Sequence, residues 1–493
     1  MKALRLVVVL LLICGSAAAA SPASINNDDS CDIRVGPAAT LLLPYFEVDV
    51  SGTSGRTTLF TITNVTRYPQ IAHVTLWTDW AYPLMTFNLF LTGYDVQAIN
   101  LADVLIRGTV APPGGTTSAT TPGSLSTSNA SGNLRATLGC ASNPSLLPAS
   151  LTTAIRTSLT IGVFNPGGGA AACSTAGGVH ANAIGYATID VVASCTNLLP
   201  TDPAYYATDL LFDNVLIGDY QQIGAAPAGT GAPTVLDAGG NPMVHIRAVP
   251  EGGDVGSNVP TDLPYTFYDR YTPSSARTVD RRQPLPSTFA ARFIQGGPAA
   301  FATNCTIWRE GVTGAGSSCH SYLGNSFMPV GEFVRFDEHE NAYVSAPLEA
   351  FDDGLPEFQA TSTTNTRSDL YPKLAGTDVG GWLYLNLNNG GSPLYSVNSR
   401  VNGTFTGPVS TQYGTPRASQ NWVTMTMFGN VGASRMTAES DAAPLGNGCS
   451  PATPLGSVRP IGPTGGVFVC PPGTTLTNGT TTQCTGTNAV PNP

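Results

Sequence analysis

Between Thr57 and Leu105, three successive runs alternate apolar and polar residues with a period of two. Phe60 and Ile62 alternate with Thr61 and Thr63. Ala72, Val74 and Leu76 alternate with His73, Thr75 and Trp77. Met85, Phe87, Leu89 and Leu91 alternate with Thr86, Asn88 and Phe90. Neighbouring side chains on a strand point to opposite faces, so this spacing predicts three strands, each with one face to bury and one to show. Near Gln97 the alternation slips, as Val96 and Ala98 give way to Ile99 and Leu101. A bulge, or a short helical turn begun by Asn100, accounts for the slip.

Similar patterns run along the rest of the chain. LLLPYFEVDV (41–50) reads as a first strand, with Pro44 favouring an edge or a bulge. SLTIGVF (158–164) alternates through Leu159, Ile161 and Val163, which predicts another strand. AIGYATIDVV (183–192) is apolar on both sides and reads as an interior strand. DLLFDNVLIGDYQQI (209–223) fits a strand or a helical turn leading into one. MVHIRAV, TIWRE, EFVRF, YVSA, WLYLNLN and NWVTMTMF continue as short strands; Leu383, Leu385 and Leu387 share one face of the fifth, and Val423, Met425 and Met427 one face of the last. Residues 111–135 are rich in Gly, Ser, Thr and Pro and read as a long exposed loop; AACSTAGG (171–178) reads as a shorter one.

Many short strands with almost no helical periodicity predict an all-β fold of antiparallel β-sandwich domains with long Gly/Ser/Thr/Pro loops. A transmembrane barrel is the competing all-β architecture, but uneven spacing and Pro breaks count against it. The length of 493 residues calls for two domains plus tails. AAPAGTGAPT (225–234) is the best linker signal. The expected division is a signal peptide at 1–20, an N-terminal β-sandwich domain at 21–224, a C-terminal β-rich domain at 240–440 and a Cys/Gly/Pro/Thr-rich tail at 441–493. Late strands remain free to return to the first sheet.

Composition adds a location. Lys2 and Arg5 precede an apolar run from Leu6 to Ile13, followed by the small residues Gly15 to Ala20. This is the layout of a cleaved export signal. Cys14 raises a lipoprotein alternative, against which Ile13 stands where a small residue is expected. No later stretch reaches the ~20 apolar residues of a spanning helix. The formal charge is −10, and loss of Lys2 and Arg5 takes the exported chain to about −12. An acidic chain with no basic stripe does not fit nucleic acid. Charged residues make up only 11% of the sequence, so individual charges stand out. After cleavage, nine of the 10 cysteines remain, in keeping with an oxidising compartment. Local pairing suggests Cys173–Cys195, Cys305–Cys319 and Cys470–Cys484. Cys31 with Cys140 is a weaker pairing, and Cys449 competes for Cys470. An odd total leaves one thiol over.

At AHVTLWTDWAYPLMTFNLFLTGYDVQAINLADVL, and again at TFYDRY with RRQPLPSTFAARF, the chain resembles a group of exported bacterial proteins with no characterised activity. The resemblance extends through SQNWVTMTMF and PLGNGCSP and is weakest at 111–135 and after Cys449. It implies a secreted β-rich fold from a bacterium and supplies no catalytic residue or cofactor.

Candidate chemistry is thin. No GxSxG elbow occurs, so a Ser-His-Asp site would have to assemble from distant loops. His73 and His245 sit in strand-like runs as structural or surface residues, and His180, in a Gly-rich loop, is the freest of the histidines. FDEHEN (336–341) and FDDG (351–354) gather Asp337, Glu338, His339, Glu340, Asp352 and Asp353, but their spacing is not that of a calcium loop. Solvated acidic turns are the better account, and neither metal nor cofactor is expected. Glu310, Glu332, Glu338 and Asp269 could supply paired carboxylates for glycoside hydrolysis. The most unusual composition lies at 265–293, where Tyr265, Tyr268 and Tyr271 accompany Arg270, Arg277, Arg281, Arg282 and Arg292. Rings and guanidinium forks suit sugars, carboxylates or a protein partner. Tyr265, Tyr268, Arg270, Arg281, Arg282 and Trp77, the last as an exposed stacking platform, are therefore the candidate ligand-binding residues. The plainer alternative makes this region an inter-domain segment, with Asp269 and Asp280 neutralising its arginines. The expected function is that of an exported, non-enzymatic interaction or structural module at the cell surface or in the periplasm, meeting a protein or glycan partner. A secreted polysaccharide hydrolase is the alternative.

Overall fold

The alternating runs form antiparallel strands. The computed structural model describes residues 33, 35–52, 55–79, 81–109, 147–167, 172–224, 241–249, 266–268, 280–286, 288–298, 301–309, 332–338, 342–344, 380–387, 400–401, 404–405, 420–431, 434–445, 475–478 and 482–485. The first nine strands are β1 (Thr40–Val48), β2 (Thr57–Asn64), β3 (Gln70–Thr78), β4 (Pro83–Leu91), β5 (Val96–Asn100), β6 (Ala183–Val192), β7 (Leu216–Ile223), β8 (Asn241–Pro242) and β9 (Val244–Ile246). They build a five-stranded sheet in the order β4-β3-β6-β1-β9 and a four-stranded sheet in the order β5-β2-β7-β8. Every pairing is antiparallel.

The later strands are β10 (Thr288–Ile294), β11 (Ala302–Arg309), β12 (Glu332–Phe336), β13 (Ala342–Val344), β14 (Gly380–Asn386), β15 (Arg400–Val401), β16 (Thr404–Phe405), β17 (Asn421–Val431), β18 (Ser434–Asp441), β19 (Ala443–Pro444), β20 (Thr475–Asn478) and β21 (Thr482–Thr485). They give a sheet β13-β12-β14-β10-β19, a sheet β11-β17-β18 and two short ladders, β15-β16 and β20-β21. The described fold is all-β, as the periodicity predicts.

Three local expectations meet their physical tests. Pro44 does sit at a register shift, between Leu43 and Phe46, yet β1 is an interior strand, flanked by β6 and β9. The bulge places the residue that lacks an N–H where the ladder is already interrupted. After β5, Asn100 Oδ1 accepts the Ala102 N–H at 2.9 Å, and a helical turn over Asp103–Arg107 comes next, ended by Gly108 at φ 67°. SLTIGVF, by contrast, is not a strand. Residues Ala149–Ile161 form helix α1, and Gly162 (φ 72°) terminates it. Thr152, Ile155 and Leu159 recur at helical spacing on its buried side, and Ile161, read as inward on a strand, is exposed. Leu159 belongs to both patterns, so a seven-residue window could not separate them.

Two cores share the five-stranded sheet. One lies on the face carrying Leu41, Leu43, Ala72, Val74, Leu76, Ala187 and Ile189; it also takes Phe60, Ile62, Ile99, Leu216 and Tyr220 from the four-stranded sheet and Ile155 and Leu159 from α1. The other lies on the opposite face. There Leu42, Trp77, Tyr186, Val244 and Ile246 join Phe289, Phe293, Trp308, Leu385, Val423 and Met425 from the later strands. The outward face expected of His73, Thr75 and Trp77 is therefore covered, and all three are fully buried. The chain beyond 240 closes the first sheet through β9 and, together with Tyr205, Tyr206, Leu210 and Phe212, fills its second face. The described residues fall within one compact unit, Ile33–Pro493, and the boundary expected at 224–240 does not interrupt that core. The expected loop at 111–135, the leader at 1–20 and most of the tail lie outside the described residues.

Cysteine positions follow from the same topology. Cys173 bridges to Phe164 beside the start of β6, whereas Cys195 lies past the end of β6 and packs against the other core. They lie against different cores, on opposite faces of the five-stranded sheet. A disulfide tolerates a Cα separation of only ~7 Å, so the expected Cys173–Cys195 bridge does not form. Cys305 is a buried thiol in β11, which does not bear out a bridge to Cys319. Cys319 and Cys470 lie outside the described residues, and Cys484 falls in β21.

Candidate functional site

Most of the predicted ligand-binding residues meet at the second core, on the face of the five-stranded sheet that the later chain covers. Asp190, near the end of β6, is its centre. Thr40, directly across the ladder on β1, donates its hydroxyl to Oδ1. Tyr205 and Tyr268 donate their hydroxyls to Oδ2 at 2.7 Å and 2.8 Å. Arg282 Nε lies 3.5 Å from Oδ1 and donates to Thr40 Oγ1. The same guanidinium reaches Asp280 at 3.2 Å and the carbonyl of Leu211 at 3.0 Å. Arg281 lies 4.5 Å over the Phe212 ring. Asp190, Asp280, Arg281 and Arg282 are all 0% exposed, so two carboxylates and two guanidiniums sit together beneath the surface.

Burial by itself lowers the Arg282 pKa, but Asp190 and Asp280 outweigh it and the net shift is upward. Tyr205 and Tyr268 are raised well above the usual phenol range, first by burial and then by the Asp190 charge. His73, across β3 from Asp190, has its ring nitrogens 2.8 Å from Asn88 Oδ1 and 3.0 Å from the Leu198 carbonyl. Burial lowers its pKa, and a neutral ring donates to only one of those two oxygens. Trp77 stacks on Tyr186 with ring centres 5.7 Å apart and donates its indole N–H to Thr188 at 2.9 Å. Trp308 meets Tyr186 edge-on and stacks on Phe267, carrying the aromatic contacts from the early strands into the later chain.

The structure thus gathers Tyr268, Arg281, Arg282 and Trp77, but as an internal network rather than a ligand surface. Trp77 is not an exposed platform, because the later chain closes over its face of β3. Tyr265 and Arg270 lie outside the described residues. Of the acidic segment at 336–341, Asp337 is buried and Glu338 is exposed. His339, Glu340, Asp352 and Asp353 lie outside the described residues, as do Glu310 and Asp269.

A second polar cluster reaches solvent at the end of the same sheet. Asp79, just past β3, accepts the Gly178 N–H at 3.0 Å and faces His180 Nε2 at 2.8 Å. The Asp79 side chain is nearly buried; that of His180 is 19% exposed. Burial lowers the His180 pKa, but Asp79, with a smaller contribution from Glu47, turns the net shift upward. Glu47 accepts from Tyr45 at 2.9 Å, from Asn182 at 2.6 Å and from Arg56. A carboxylate-held imidazole can take up and release a proton. Among the described residues no hydroxyl or thiol donates to its other ring nitrogen, as a nucleophile would.

Two exposed pairs complete the picture. Arg67 lies 4.6 Å over Tyr68, and Arg292 lies 4.7 Å over Trp382. The second pair was legible in the sequence: with Leu383 and Leu385 facing inward, Trp382 must face out, and Phe289 and Phe293 place Arg292 likewise. Asp79 and Asp190 carried no such signal, since His180 is 101 residues from Asp79 and Thr40 is 150 from Asp190. No family model, curated protein or solved structure matches the chain.

Proposed function

We propose that this protein acts outside the cytoplasm as a non-enzymatic interaction or structural module whose β framework presents surface groups to a protein or glycan. The observation that carries this reading is the burial of Asp190, Asp280, Arg281 and Arg282 between the first sheet and the later chain. In a charge-poor sequence, these four charges are committed to the interior. Recognition then falls to exposed aromatic–guanidinium pairs. The leader-like first twenty residues support an exported location. No helix among the described residues is long and apolar enough to cross a membrane.

The Asp79–His180 pair favours a second reading, a secreted hydrolase. A screen of the exported protein against glycans and polysaccharides, with product release assayed in the same wells, separates the two. Binding without turnover supports the interaction module. Turnover abolished by His180→Ala or Asp79→Asn establishes the hydrolase instead.

A further inference from the structure

We propose that the outer face of the β12-β14-β10 sheet carries a binding site for neutral sugar chains, centred on Trp382; the proposal names a ligand class for the interaction module and rests on that reading. Trp382 is 42% exposed on a sheet whose opposite face is packed into the core. It stands directly across from Phe336 on β12 and from Arg292 on β10. Residues opposite each other in an antiparallel ladder share a face, so the three side chains form one row across three strands. Phe336 is half-buried and Arg292 is exposed.

Gly380, two residues before Trp382, brings no side chain to the sheet beside this row. Its N–H donates to Glu338 Oε1 at 3.0 Å, which anchors a carboxylate beside the ring. The site therefore offers an aromatic plane, a guanidinium fork and a carboxylate acceptor within one stretch of a rigid sheet. A pyranose matches all three. Its axial C–H groups lie against the exposed part of the indole that the Arg292 guanidinium, 4.7 Å over the ring, leaves uncovered, and its hydroxyls both donate to Glu338 and accept from Arg292. Anionic polymers fit less well, because Glu338 and the acidic chain repel them.

The exported full-length protein is titrated by calorimetry with cellohexaose, xylohexaose and mannohexaose. At least one is expected to bind, and Trp382→Ala and Arg292→Ala are each expected to weaken that affinity by about tenfold or more, with an unchanged circular dichroism spectrum. Arg292→Lys, which keeps the charge and loses the fork, gives an intermediate loss. Failure of all three sugars to bind overturns the site, as does undiminished binding by a folded Trp382→Ala variant. A Trp382-dependent protein partner in the absence of sugar binding also overturns the ligand assignment. Release of shorter sugars that persists in Trp382→Ala sinks the non-catalytic reading and leaves this site to be judged on affinity alone.

Discussion

Arg282 shows how one residue's meaning depends on its surroundings. Beside Tyr265 and Tyr268 in sequence, a guanidinium reads as a ligand fork. In the fold it is sealed between Asp190 and Asp280. Replacing a paired, buried charge by an apolar residue leaves its partners charged and unpaired, at a typical cost of about 3–5 kcal/mol. Arg282→Met is expected to lose stability of that order in urea titrations, and Asp190→Asn in the same background to recover part of it. An Arg282→Met protein as stable as the parent would remove the structural role of the guanidinium. His245 makes a second residue-scale case. Its Nε2 accepts the Gly218 N–H at 3.1 Å, and burial lowers its pKa from 6.5 to about 4. The unfolded chain binds that proton first as pH falls. The associated stability is therefore complete above pH 6.5 and is lost on descending toward pH 4, about 3 kcal/mol in all. His245→Gln, which keeps an acceptor for Gly218, is expected to flatten the dependence of unfolding free energy on pH across that window.

At the scale of elements, β6 is the strand on which both cores depend. It lies between β3 and β1 and is buried along its whole length. Its odd positions, Ala187, Ile189 and Val191, serve one core. Its even positions, Tyr186, Thr188 and Asp190, meet the other. The sheet around it also sets the cysteine map by holding Cys173 and Cys195 against opposite faces. Peptide mapping without reduction is expected to recover no Cys173–Cys195 peptide and to find each linked to another cysteine. A Cys173–Cys195 crosslink in folded protein would contradict the register of β6. Helix α1 shows where alternation misleads: its apolar residues satisfy a strand pattern over seven positions and a helical one over thirteen, and the longer pattern prevails.

For the whole molecule, the decisive fact is that the first sheet is covered on both faces, one of them in part by chain from beyond 240. The two-domain division drawn from the Gly/Pro/Ala stretch at 225–234 misses this, because a flexible connection says nothing about where the chain goes next. A chain ended at residue 224 lacks β8 and β9 and loses the cover that Tyr268, Arg282 and Trp308 give to Asp190 and Tyr186. It is expected to lose the cooperative thermal transition of the full protein and to bind a hydrophobic dye. A truncated chain with a sharp native-like transition would restore the independent N-terminal domain.

Strand identity was fixed locally, because side-chain alternation needs only a residue and its neighbours. β2, β3, β4, β6 and β14 could thus be read from their own residues, and so could the outward direction of Trp382. Which faces are dry is not a local property. Whether His73, Trp77 and Arg282 meet water depends on segments that arrive from elsewhere in the sequence, and no periodicity within a strand records it. The pairing of Asp79 with His180, and of Asp190 with Thr40 and Arg282, was likewise decided by strand order, which alone brings distant charges within hydrogen-bonding reach.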